Sequence, residues 1–208
     1  WFAAGRRTFG PLAELSELPD LVTTLLGPAQ LTVLGAEDLL TYLAHGVDSR
    51  LGRGVERLRQ VAVGGAGPDD LNARWVAARL LNLSGEAHAG SLWNPLVMPP
   101  DVPRSVRQAF TLGRPPVLTL WEPQRELLAG PRSPFAPSVR RIVMAVPTSG
   151  GKTLLGQLIS IEHLARTNQS VCYVVPTRSL GREVRRAMSD RLRMLNREAP
   201  PEPPDFPD

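Results

Sequence analysis

The sequence predicts an α/β fold, with a parallel βαβα unit towards its C-terminal end and an all-helical N-terminal region before it. Three observations predict it. Two apolar runs of strand length, residues 141–146 and 171–175, alternate with two stretches of helical periodicity, residues 151–166 and 179–197, through short joins. A Gly-Gly-Lys-Thr turn connects the first run to the first of those helices. Before residue 113 the periodicity is helical throughout, punctuated by Gly and Pro.

Taken in order, residues 20–26 read as a short helix stopped by Gly27-Pro28, and residues 37–45 as another stopped by Gly46. Residues 48–63 put Leu51, Val55, Leu58 and Val61 on one face. Residues 69–83 open on two first-turn acids, Asp69 and Asp70, and carry Leu71, Trp75, Val76, Leu80 and Leu81. Trp75 and Trp93 are expected in the core rather than at an interface. A Pro-rich passage follows, with one helix at 104–112 inside it, and the domain boundary is placed near Arg114. Three segments result: a helical region at 1–113, the α/β part at 114–197, and an acidic linker at 198–208 holding five prolines.

The α/β part starts with a short helix at 121–129, closed by Gly130, and a loop at 131–138. The run Ile142-Val143-Met144-Ala145-Val146 is continuously apolar, as expected of a strand buried on both faces, and Val171-Cys172-Tyr173-Val174-Val175 repeats the pattern. A right-handed crossover through the intervening helix would make the two runs parallel.

At 208 residues, 42% hydrophobic and 21% charged, the chain holds one domain or a domain and a half. No stretch approaches the ~20 apolar residues of a membrane span, so no membrane partner is expected. The N-terminus carries no secretion signal, and a single Cys172 fits a reducing, cytoplasmic compartment. His45, His88 and His163 show no metal-ligand spacing. The net charge of +4 is unevenly placed: residues 1–137 sum to zero, residues 138–197 to +8, and residues 198–208 to −4. The positive segment suits a polyanionic partner.

Of the 24 basic residues only Lys152 is a lysine. It stands in Val146-Pro147-Thr148-Ser149-Gly150-Gly151-Lys152-Thr153, between an apolar run and a helix. A helix N-terminus presents backbone N–H groups with no internal partner, and its dipole adds partial positive charge. Gly150 and Gly151 let the backbone curl around a phosphate. Lys152 reaches the β- and γ-phosphates of ATP, and Thr153 offers its hydroxyl to Mg²⁺. Val146 stands where the general phosphate-loop pattern has its first Gly.

These residues resemble the first RecA-like domain of a superfamily 2 helicase, the DExD/H-box group. Residues 146–153 are similar to the family's motif I. Pro176-Thr177-Arg178-Ser179-Leu180 resembles motif Ia, which in the family grips the nucleic-acid backbone. Trp121-Glu122-Pro123-Gln124-Arg125 resembles the glutamine motif, whose Gln reads adenine. The resemblance covers about residues 118–197. It implies a partial RecA-like ATPase domain, a helicase or translocase hydrolysing ATP with Mg²⁺, and DNA or RNA as partner. It implies nucleotide contacts from Gln124, Thr148, Ser149, Gly150, Gly151, Lys152 and Thr153, and backbone contacts from Pro176, Thr177, Arg178 and Ser179. Arg182, Arg186, Arg193 and Arg197 form a stripe on the following helix, which by itself reads as a solvated face partnered by Glu183 and Asp190 ahead of a nucleic-acid contact.

No Asp-Glu pair follows residue 175, and the family's second RecA-like domain is not recognisable. The chain therefore reads as the N-terminal fragment of a longer motor, binding nucleotide weakly alone and needing the downstream remainder. Two alternatives stand beside this: another P-loop NTPase, or a helical module docking a protein partner through its N-terminal region, with a nucleotide site that does not hydrolyse.

Overall fold

A computed structural model describes residues 27–64, 70–129, 132–136, 138–145, 150–167 and 169–195. The helix expected at 20–26 and the linker at 198–208 lie outside these residues. Seven α-helices occur among the described residues: α1 Pro28–His45, α2 Asp48–Val63, α3 Leu71–Gly90, α4 Arg104–Thr111, α5 Glu122–Ala129, α6 Lys152–Thr167 and α7 Arg178–Leu195. The chain divides into two compact units, one holding residues 46–86 with the body of α1, the other holding residues 43–45 and everything described from 87 on.

In the first unit α1 and α2 cross backbone to backbone. A Cβ added to Gly35 would meet the Gly54 carbonyl at 3.1 Å, and one added to Gly54 would meet the Gly35 carbonyl at 2.9 Å. Each glycine costs helix propensity but permits this approach. Beside the crossing Asp38 is buried, and Arg50 of α2 donates to it at 2.9 Å; Arg57 of the same helix also donates to it. The arginines lie seven residues apart, on one face of α2. Leu31, Leu58, Val61 and Ala77 form the core. Trp75 lies outside it, 71% exposed, against the expectation that it is a core residue.

The second unit has a larger core, in which Leu92, Met98, Val106 and Phe110 join Leu120, Leu128, Leu155, Leu158 and Ile161. Within this unit α4 packs against both α6 and α7, and α6 against α7. Residues 91–103 contain no helix. They are gathered by Arg107, whose guanidinium donates to the carbonyls of Leu92 (3.1 Å), Met98 (3.2 Å), Pro99 (2.7 Å) and Val102 (2.9 Å). Trp93 donates from Nε1 to the Leu43 carbonyl at 3.1 Å, with the Arg104 guanidinium 5.3 Å from its ring centroid.

The α/β expectation is overturned. The described residues contain no strand; an isolated antiparallel bridge between Ser91 and Thr119 is the β feature among them. The regular elements described are helices, so neither the parallel βαβα unit nor a partial RecA-like sheet is present among the described residues. Residues 141–145 and 171–175 carry no regular structure, and Val143 is 97% and Val174 85% exposed. A strand exists only by virtue of a hydrogen-bonded neighbour and covered faces, and neither run has one among the described residues. Tyr173 lies over Gly156 of α6 and Val175 against Gly181 of α7, so the second run is held to helices by side chains.

Candidate nucleotide site

The helix that carries Lys152 and Thr153 begins immediately after the Gly-Gly turn. Gly151 takes a left-handed conformation, φ 75°, which a residue with a Cβ rarely adopts. Its carbonyl accepts the N–H of Leu155 at 3.1 Å, the first turn of α6. As the residue before α6, Gly151 has no side-chain oxygen to cap the helix, which leaves that role to another group. Lys152 is exposed at the first helical position and Thr153 is half-buried at the second. Thr148 and Ser149 lie outside the described residues.

Gln124 comes to this turn from α5. The helix starts with Trp121 as cap, and the Trp121 N–H donates to Gln124 Oε1 at 3.1 Å. That contact is one half of a capping box, which places a Gln at the third helical position for a local reason. The other end of the amide donates from Nε2 to the Gly150 carbonyl at 3.0 Å. Gln124 is 5% exposed. Glutamine and glycine turn, 26 residues apart in sequence, thus meet.

A second helix N-terminus carries the Pro176–Ser179 sequence. Thr177 caps α7: its Oγ1 accepts the Leu180 N–H at 3.3 Å, and its carbonyl accepts the Gly181 N–H at 3.0 Å. Pro176, Thr177, Arg178 and Ser179 are all exposed. Arg182, Arg186 and Arg193 of the predicted stripe are exposed as well, Arg193 pairing with Asp190 at 3.1 Å; Arg197 lies outside the described residues.

Two buried ions in these helices escaped sequence reasoning. Arg191 of α7 donates to the carbonyls of Ala109 (2.9 Å), Phe110 (3.1 Å) and Pro115 (3.2 Å), and its guanidinium sits 4.4 Å from the Phe110 ring centroid. Ala109 and Phe110 end α4, so the cation caps that helix through its orphan carbonyls. Desolvation pushes its pKa down, as it does that of Arg107. Glu162 of α6 is buried and has Arg166 Nε 3.0 Å from its Oε1. Desolvation raises the Glu162 pKa, and the Arg166 charge opposes that rise in part. Arg191 falls seven residues after Val184, and Glu162 seven after Leu155, each on the apolar face of its helix, where a charge reads in sequence as an interruption.

No helix among the described residues is long and apolar enough to cross a membrane, and no group of His, Cys, Asp and Glu among them could hold a metal ion.

Residues 133–199 match the family model of the DEAD/DEAH box helicases. The match takes in the Gly-Gly-Lys-Thr turn and Pro176–Ser179, and leaves Gln124 outside. The chain is also similar to the Hachiman protein HamB of Bacillus cereus, 29% identical over 126 residues. That alignment covers 58% of this chain and 11% of the relative, so the chain spans about a tenth of the relative's length. No solved structure matches. The family match agrees, over those residues, with the resemblance to the DExD/H-box helicases.

Proposed function

We propose, from the premise that residues 133–199 are of DEAD/DEAH-box helicase type, that the second unit binds ATP and a nucleic-acid backbone as the N-terminal portion of an ATP-dependent helicase or translocase. The observation supporting this most strongly is the left-handed Gly151 that leads the chain's lone lysine into the first turn of a 16-residue helix. Lys152 there faces the β- and γ-phosphates, Thr153 the Mg²⁺ ion they carry, and the backbone of Gly150 and Gly151 the phosphate oxygens. DNA or RNA lies along Pro176, Thr177, Arg178 and Ser179, where an exposed arginine adjoins a helix N-terminus. The free, exposed Cys172 fits a reducing, cytoplasmic setting. With no Asp-Glu pair after residue 175 to activate water, these residues alone turn ATP over slowly.

Binding titrations on two variants test this. Lys152→Ala should weaken ATP binding about 100-fold, the worth of ~3 kcal/mol of charge-assisted bonding. Arg178→Ala should leave ATP binding intact, weaken single-stranded nucleic acid about 5-fold and reduce its salt slope by about 1. Unchanged ATP affinity in Lys152→Ala would sink the nucleotide site.

The exposed face of α3 favours a second role for the first unit. Leu71, Trp75 and Leu83 all stand in solvent there, an anchor suited to a protein partner. Trp75→Ala combined with Leu71→Ser should remove such docking while ATP binding persists, because both side chains are exposed and belong to the first unit. Loss of ATP binding in that variant would show the two roles are not separable.

A further inference from the structure

Resting on the nucleotide reading above, we propose that Gln124 is a positioning residue: it sets the shape of the Gly150–Gly151 turn and does not select the base. Its amide is buried and engaged at both ends. Oε1 accepts the Trp121 N–H at 3.1 Å, and Nε2 donates to the Gly150 carbonyl at 3.0 Å. The first contact belongs to the start of α5, so the helix cap decides where the amide points. The second draws one carbonyl of the turn towards α5. A cradle for an anion must present N–H groups and keep its carbonyl oxygens elsewhere, and the Gln124 donor does this for Gly150.

The next residue fits the same picture. A Cβ on Gly151 would collide with Gln124 Nε2, so the left-handed glycine and the buried amide form a matched pair. An amide that reads adenine needs a donor and an acceptor turned outwards together. This one has 5% of its surface exposed and a partner for each end. Gln124 then acts on triphosphate binding and leaves any choice of base to other residues.

The test is calorimetric titration of the full chain with Mg²⁺-ATP, Mg²⁺-GTP and inorganic tripolyphosphate. Gln124→Glu keeps an acceptor for the Trp121 N–H and sets an oxygen against the Gly150 carbonyl. It should weaken all three ligands by a common factor, about 10-fold, with the ATP:GTP ratio within twofold of wild type. Gly151→Ala should cost less triphosphate affinity in a Gln124→Ala background than alone, because the collision is gone. A merely structural glutamine would lower the melting temperature and give additive losses. Loss confined to ATP or additive losses would each overturn the proposal while leaving the nucleotide site standing. A wild-type chain that binds none of the three would overturn both.

Discussion

The helices α6 and α7 pack on each other, belong to one unit and follow apolar runs of the same kind, yet they begin in opposite ways. α7 supplies its own cap, Thr177, and so spends one of its N-terminal donors internally. α6 begins at a glycine with no side chain, in a turn shaped by a glutamine from another helix. A self-capped end with an exposed arginine suits a loose, sequence-blind hold on a backbone. An end that opens on a left-handed glycine and is shaped from outside suits a compact anion. Their buried ions differ in the same spirit: Arg191 meets three carbonyls and a ring, whereas Glu162 has one flexible arginine beside it.

The largest effect expected from breaking this contrast is at Arg191. Arg191→Ala leaves the Ala109, Phe110 and Pro115 carbonyls without their donor and should destabilise the second unit by about 3 kcal/mol in denaturant unfolding. A smaller change is expected at the cap. Thr177→Ala should cost about 1 kcal/mol by the same measurement, with ATP binding unaffected, since α6 does not share that cap. The smallest effect sharpens the comparison of the two ions. The folded pKa of Glu162 lies above its ordinary value of 4.5, so folding favours the protonated form. Stability from this group is present below pH 4.5 and is lost as pH rises through the raised pKa. Glu162→Gln should remove that decline, and melting curves at pH 4 and pH 7 should converge for the variant relative to wild type.

Helix periodicity was legible almost everywhere it mattered. The expected bounds of α2 match the structure, and those of α6 and α7 lie within one or two residues. The first nine residues of α1 were missed, although Gly27-Pro28-Ala29-Gln30 is a helix start: the Gly27 N–H donates to Gln30 Oε1 at 2.9 Å. The same device opens α5 at Trp121 and Gln124, so one overlooked local pattern explains both a helix bound and the route of the glutamine to the turn. The apolar runs misled for another reason. Five consecutive apolar residues report a wish for burial but not the geometry that achieves it, and no partner strand lies among the described residues. At the site, glycines, lysine and glutamine were legible by type and spacing. The carbonyl-binding arginines were not, because an arginine on an apolar face looks in sequence like an interruption.

Residues 91–103 carry four prolines and no helix; such a stretch would ordinarily absorb an extra residue or a swapped tip with little complaint. Here four carbonyls from three separate turns of chain are aimed at the one planar guanidinium of Arg107. Lengthening the segment by a single residue would rotate some of them out of reach of a fork whose angles are fixed. This irregular connector is therefore as intolerant of insertion as the inside of a helix.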